Sequence, residues 1–302
     1  MTLKRLKRNL SWSNKQIVDF ANNAFGLASY SSNFPQVFDA PLSSHIYFFS
    51  YDNKDASLCV IQPISFFKEK FKLLCLGSVC VSKDLRGQQL SYEMLEEVIS
   101  LLGANYENTA LALFSEDERL YHKFGFKKIT EHPLLKLNQD SYKVLDLEPC
   151  KLIFKTFDSN TIKLNFLKEL WNFIILYSES SESDMSFLEF SYILRIPRMK
   201  VICGFSKEAF LSCVCFFGKG DDFKDIFHAF YYKDKYAFKA LLKHILTFKK
   251  APTLFLRPDE RKFFPRQNRM EFSSLMIKDD SNPNTVKKIE NEKLFIRSLQ
   301  GI

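Results

Sequence analysis

Val79-Cys80-Val81-Ser82-Lys83-Asp84-Leu85-Arg86-Gly87-Gln88-Gln89-Leu90-Ser91-Tyr92 is the stretch that decides the fold. Residues 73–81 are apolar enough for a strand buried on both faces. After a polar loop, residues 92–103 set Met94, Leu95, Val98, Leu101 and Leu102 on one helical stripe, with Glu93, Glu96 and Glu97 outward and Gly103 as a stop. The first turn of a helix carries four backbone N–H groups without intrahelical partners, at the positive end of its dipole. A phosphate placed there accepts several of them at once. Gly87 lets the backbone approach such a ligand closely, and Arg86 adds a charge. An ordinary strand–turn–helix connection would use the same residues.

Upstream, residues 14–26 form a helical stripe through Ile17, Val18, Phe20, Ala21 and Ala24, with Ser13 as N-cap and Gly26 as terminator. Residues 45–51 and 57–67 read as strands around an Asp52-Asn53-Lys54-Asp55 turn. Downstream come a strand at 109–114, a short helix at 117–124 and a strand from 126. The short helix carries Leu120-Tyr121-His122-Lys123-Phe124-Gly125-Phe126. A tyrosine beside an anionic leaving group can act as its proton donor; a half-buried packing tyrosine is the plainer reading.

The second half repeats this order. Residues 161–179 are helical, 201–205 and 210–217 are strands, and 228–232, 236–248 and 253–256 read strand, helix, strand. Ser82-Lys83-Asp84 matches Tyr232-Lys233-Asp234, and Asp117-Glu118-Arg119 recurs as Asp259-Glu260-Arg261. In the second copy the six positions that would form the phosphate loop are missing. Counting from the charged triplets, Phe263 stands where the first half has Tyr121.

A length of 302 residues suits two domains. The net charge of +8 suits an anionic ligand without demanding nucleic acid, for which no recognition motif is present. Cys59, Cys75, Cys80, Cys150, Cys203, Cys213 and Cys215 contain no C-x-x-C pair and mostly sit in apolar runs, as reduced buried thiols do. Five histidines without metal-ligand spacing give no zinc signature, so no metal is expected. No apolar run spans a bilayer, and the basic start has no apolar segment behind it. A cytoplasmic location, with no membrane or nucleic-acid partner, is the expectation.

Together the two segments resemble the GCN5-related N-acetyltransferase (GNAT) superfamily. The matching residues are Val79-x-Val81, Arg86-Gly87 and Leu120-Tyr121-x-x-x-Gly125-Phe126. Ser115-Glu116 ahead of Tyr121 looks like the enhanced-intracellular-survival type, in which an active GNAT domain precedes a degenerate one. The resemblance implies an α/β fold of two tandem GNAT-like domains, each a mixed, mostly antiparallel twisted sheet flanked by helices. The domains are expected at 1–140 and 150–280, with a linker at 141–149 and a polar tail at 281–302.

The implied activity is acetyl-CoA-dependent N-acetyl transfer, by direct attack of a small-molecule or peptide amine. Val79, Cys80, Val81, Arg86, Gly87, Gln88, Gln89, Leu90, Ser91 and Tyr92 would bind the cofactor, and Tyr121 would protonate the leaving thiolate. Residues 72–81 hold no carboxylate to act as base, so Glu116 is the substitute. Gln89 stands where the family has Gly and is expected to resist a positive φ; Phe114 replaces an Asn. Those departures also fit a non-catalytic tandem GNAT-like CoA-binding or interaction protein.

Overall fold

The computed structural model describes residues 6–39, 45–66, 69–103, 109–137, 151–178, 183–220, 223–257, 259–264, 268–278 and Lys287. Among these the chain divides into two compact units. The first holds residues 6–130, 273–278 and 287, the second residues 131–272.

In the first half, β1 (Lys7–Arg8) is followed by α1 (Asn14–Phe25) and α2 (Pro35–Phe38). Ser13 caps α1 by accepting the Gln16 N–H, and Gly26 ends it at φ 73. Then come β2 (His45–Tyr51), β3 (Lys54–Phe66), β4 (Glu69–Val81), α3 (Leu90–Gly103), β5 (Thr109–Ser115), α4 (Arg119–His122) and β6 (Phe126–Lys136). The second half runs β7 (Ile153–Asp158), α5 (Leu164–Leu176), α6 (Phe187–Ile193), β8 (Lys200–Phe205), β9 (Leu211–Lys219), β10 (Phe223–Tyr232), α7 (Lys235–Phe248), β11 (Thr253–Phe255) and β12 (Asn268–Lys278). The expected elements are present with shifted ends. β1, α2, β7, α6 and β12 are not among the expected elements.

The strand order is β1-β2-β3-β4-β5-β12 in the first unit and β7-β8-β9-β10-β11-β6 in the second. Each sheet has one parallel pair, β4 with β5 and β10 with β11, among antiparallel neighbours. Two apolar layers sandwich each sheet. In the first unit Ile17, Ala21, Ala24 and Phe38 pack on Phe48, Leu58, Val60 and Cys80, while Met94, Leu95, Val98 and Leu102 pack on Leu74, Leu76, Leu111 and Leu113. In the second, α5 and α6 cover one side through Leu170, Ile174, Phe190 and Ile193. The α7 residues Phe238, Leu241, Leu242 and Ile245 cover the other. No helix among the described residues is long and apolar enough to cross a membrane.

A cut near residue 140 does not separate the two units. The last strand of each half serves the other unit: Leu135 of β6 pairs with Leu254 of β11, and Leu275 of β12 pairs with Phe114 of β5. The physical reason is burial. Leu135 and Leu137 enter the α7 core, while Met276 enters the α3 core. The expected linker lies outside the described residues, as does the expected tail apart from Lys287.

The repeat is deeper than its charged triplets. In β4 the pairing with β3 slips by one residue between Cys80 and Gly77, and in β10 the pairing with β9 slips likewise between His228 and Tyr231. Each bulge holds a non-glycine residue at positive φ, Ser78 at 51° and Ala229 at 52°. Aligning the bulges equates Ser82 with Lys233, one residue along from the match read in the sequence. Ser82 donates its N–H to the Ala56 carbonyl and Lys233 donates its own to Ser212, the corresponding bonds.

The strand exchange makes the first half dependent on the second. Leu275, Met276 and Ile277 are each 1% exposed or less. At about 1.5–3 kcal/mol per buried side chain, their loss approaches the ~5–15 kcal/mol that holds a whole domain together. A fragment ending at Leu137 is therefore expected to be insoluble or aggregated, with the β5 edge uncovered. Monomeric, cooperatively unfolding behaviour of that fragment in sedimentation and thermal melts would contradict this.

Candidate active site

The parallel pairing of β4 with β5 ends at Leu76 opposite Leu113. Yet β4 continues to Val81 and β5 to Ser115. Beyond that pair the β5-facing edge of Gly77–Val81 has no strand opposite it among the described residues. The bulge at Ser78 coincides with the parting, because an extra residue bends and twists its strand. Val79 and Val81 are half-buried along this edge, and Val79 packs on the same core as Tyr121. Cys80 turns the other way, into the α1 core. Burial pushes its thiol up to about 12, so Cys80 offers its backbone and not a thiolate.

β4 leads into a single 3-10 turn at Lys83–Leu85 and then the loop before α3. Gly87 and Gln89 both adopt positive φ, 82° and 62°. Gln89 thus takes the conformation it was expected to resist, at a cost of about 1 kcal/mol for a non-glycine residue. Its carbonyl accepts the N–H groups of Tyr92 and Glu93, which starts the helix. No carbonyl among the described residues accepts from the amides of Gly87, Gln89, Leu90 or Ser91. This is the donor set an anion requires. Gln88 is exposed in the same loop, the Leu90 side chain is buried, and Ser91 and Tyr92 are half-buried.

Arg86 is placed differently from the reading of it as a phosphate ligand. Its Nη2 donates to the Ala24 carbonyl in the last turn of α1, and its Nε donates to the Val81 carbonyl at 3.4 Å. A cation at a helix C-terminus satisfies free carbonyls and opposes the dipole. Arg86 therefore ties α1 to the loop. Sequence reasoning passed over Lys123, whose Nζ lies 4.9 Å from the Tyr92 ring centroid, with the Phe124 ring 5.5 Å from Tyr92. The adjacency of Lys123 to the Phe124-Gly125-Phe126 turn was its only signal.

Tyr121 sits edge-on to Phe126. Burial first, then Cys59 and Asp117, push its phenol up to about 12. It therefore stays protonated throughout the neutral range. Glu116 is exposed on the bend after β5. Asp117 is held near 2 by its bonds to Arg119. Glu118 is structural: Ser274 of β12 donates to it at 2.7 Å and Lys128 lies 3.2 Å away, both holding its carboxyl below the usual range. A cavity of about 740 Å³ adjoins the start of the loop, between α1 and the ends of β3 and β4, lined by Gln16, Asp19, Asp55, Ser82, Lys83 and Asp84 among others. No cluster of metal-ligating side chains occurs among the described residues.

The second unit repeats the parting of strands, with a buried arginine just past it. β10 and β11 separate after His228 opposite Phe255. By register Arg257 stands where the first unit has Glu116. It is 5% exposed, and its Nη2 donates to the Tyr232 hydroxyl at 2.8 Å and lies 2.9 Å from Glu260. Lys233 is followed two residues later by Lys235, the start of α7, whereas Ser82 and Leu90 are eight apart. Asp234 accepts the Ala237 N–H, so its own carboxylate occupies the helix N-terminus. Phe263, in place of Tyr121, packs on Phe238.

No family model matches the chain, and no curated protein matches its sequence. Solved structures do. A conserved protein of unknown function from Enterococcus faecalis V583, described as a probable N-acyltransferase, superposes with a TM-score of 0.67 at 16% identity, over 91% of this chain and 72% of its own. Eis1 from Mycobacterium abscessus gives 0.59 at 9% identity, over 89% and 73%. A tandem GNAT protein from the clavulanic acid biosynthesis pathway gives 0.53 at 9%, over 90% and 98%. The fold is that of two tandem GNAT-like domains.

The loop geometry is open to test through Gln89. Gln89→Gly trades the strain of a positive φ against greater unfolded-state freedom, worth about 0.4–1 kcal/mol, so stability is expected to stay within ~0.5 kcal/mol. Gln89→Ile, β-branched at the same φ, should cost about 1–2 kcal/mol. Equal urea midpoints for the two variants would mean that the loop is not left-handed at this position.

Proposed function

We propose that this chain is an acyl-CoA-dependent N-acyltransferase, with acetyl-CoA as donor, a small-molecule or peptide primary amine as acceptor, and the chemistry confined to the first unit. The observation that carries this reading is the contrast between the two strand partings. One adjoins helix amides that no carbonyl among the described residues accepts; beside the other Arg257 is buried against Tyr232 and Asp234 caps the helix.

The residues fit the donor. The open edge of Val79–Val81 offers backbone groups to the amides of a pantetheine arm, as an added strand would. The amides of Gly87 and Gln89–Ser91 offer donors to a pyrophosphate, with Lys123 supplying nearby charge. Acyl-CoA contributes a thioester carbonyl for an amine to attack and a thiolate to leave. The chain aligns the donor along β4 and presents backbone dipoles at the bulge, so little reorganisation is needed during reaction. Tyr121, protonated, hydrogen-bonds to the departing sulfur. Glu116, exposed and two residues before Glu118, takes the amine proton through water. The cytoplasm suits the six described cysteines, all free and buried.

One observation favours a second reading, a non-catalytic CoA-binding or interaction module: Arg86 spends its hydrogen bonds on Ala24 and Val81. Calorimetric titration with CoA, followed by thiol release from acetyl-CoA against lysine peptides, polyamines, aminoglycosides and arylalkylamines, separates the two. One CoA per chain and amine-dependent thiol release are expected. Two sites, or density for CoA at Lys233–Lys235, would contradict the asymmetry. Binding without release under every amine supports the module.

Tyr121→Phe should lower turnover by about 10²-fold or more and leave CoA affinity nearly unchanged. Because its phenol is raised to about 12, no loss of kcat from its ionisation is expected up to pH 10. An ordinary tyrosine would already be half ionised there. A wild-type pH–rate profile to pH 10.5, compared with that of Tyr121→Phe, is the check.

A further inference from the structure

In the first unit the bulge of β4 centres on Ser78, which is buried and left-handed. Its hydroxyl lies 3.0 Å from that of Tyr30, also buried. Tyr30 is itself held in place. Its ring stacks on Phe25 with centroids 3.8 Å apart and packs against Phe34 and Phe38. The second unit makes the same bulge with Ala229, at nearly the same φ and with no hydroxyl. The left-handed residue and the slipped register therefore form without a hydroxyl pair. The pair accompanies the bulge of the first unit and is missing in the second, where the buried Arg257 stands past the parting.

A ligand lying along that edge meets the peptide groups of Gly77–Val79, at the point where β4 leaves β5. Their direction depends on the backbone of Ser78. A non-glycine residue at positive φ occupies a small well. A hydrogen bond out of reach of water narrows the well further by fixing the side chain. Dipoles fixed before reaction stabilise developing charge without reorganising. We infer that Tyr30 and Ser78 are positioning residues for acyl transfer: the Tyr30 hydroxyl anchors Ser78, and Ser78 aims the bulge peptide groups at the reacting carbonyl. This rests on the acyltransferase reading above.

The test uses the full chain. Tyr30→Phe keeps the ring stack and removes one hydroxyl. Ser78→Ala installs the residue the second unit already tolerates. Three quantities are compared: the CoA dissociation constant by calorimetry, kcat for thiol release from acetyl-CoA with the amine selected by the panel, and amide exchange of residues 77–81 with CoA bound. Each single variant should bind CoA within twofold of wild type and lose about tenfold in kcat, the size of one net hydrogen bond. The double variant should lose no more than either single, since both remove the same contact. Exchange at 78–80 should quicken at least tenfold in each.

Unchanged kcat in the singles, a hundredfold loss in the double, or a dissociation constant rising in step with the fall in kcat would each overturn the pair while leaving the acyltransferase reading intact. A wild-type chain that binds CoA yet releases no thiol with any amine overturns that reading, and the role of the pair with it.

Discussion

The parting of β4 from β5 is the constraint on which the rest of the molecule depends. Two parallel strands joined through a helix have every reason to stay paired, because an unpaired backbone group shut away from water is costly. Here they separate after Leu76 and Leu113, at a bulge built on a left-handed serine. Such a gap persists only if something else meets the exposed backbone. In the second unit a buried arginine stands just past the parting, bonded to the Tyr232 hydroxyl and beside Glu260. Among the described residues the first unit has no buried arginine at that position, and its adjoining helix begins with donors that no carbonyl accepts. The same strand parting thus has different surroundings in the two units.

The two halves are not independent copies set side by side. Each donates its last strand to the other's sheet, so each core is completed by side chains encoded far away. This explains how a unit without a phosphate loop, and with a phenylalanine in place of Tyr121, keeps a full apolar core. The second half of the chain supplies residues 273–278 to the unit that carries the candidate chemistry.

Much of this was legible in the sequence for local reasons. The α1 stripe from Ile17 to Ala24, its Ser13 cap and its Gly26 stop are periodicity and capping chemistry. So is the stripe through Met94, Leu95 and Val98. The six-residue deletion was visible by counting, because it removes a loop and spares strands. What was missed is non-local. β12 has no local mark of its destination, since its partner Ala112–Ser115 lies some 160 positions earlier. Arg86 was read from its neighbours in sequence as a phosphate ligand, but its nearest acceptor is on α1. Gln89 was judged on intrinsic preference, which the surrounding turn overrides. The pairing of Tyr30 with Ser78 joins a loop residue to a strand interior 48 positions away, and no pattern announces it.

The exchange of end strands also bears on how the polypeptide is made. β5 leaves the ribosome long before the strand that covers it. At about 5–20 residues per second, the roughly 160 residues between Ser115 and Ser274 take on the order of 8–30 s to synthesise. Throughout that interval the nascent first half shows a bare strand edge beside an unfinished core, the kind of surface that invites misassembly. Isolated hairpins, by contrast, close within about 10 μs. Completion of the first unit therefore waits on synthesis of the second half.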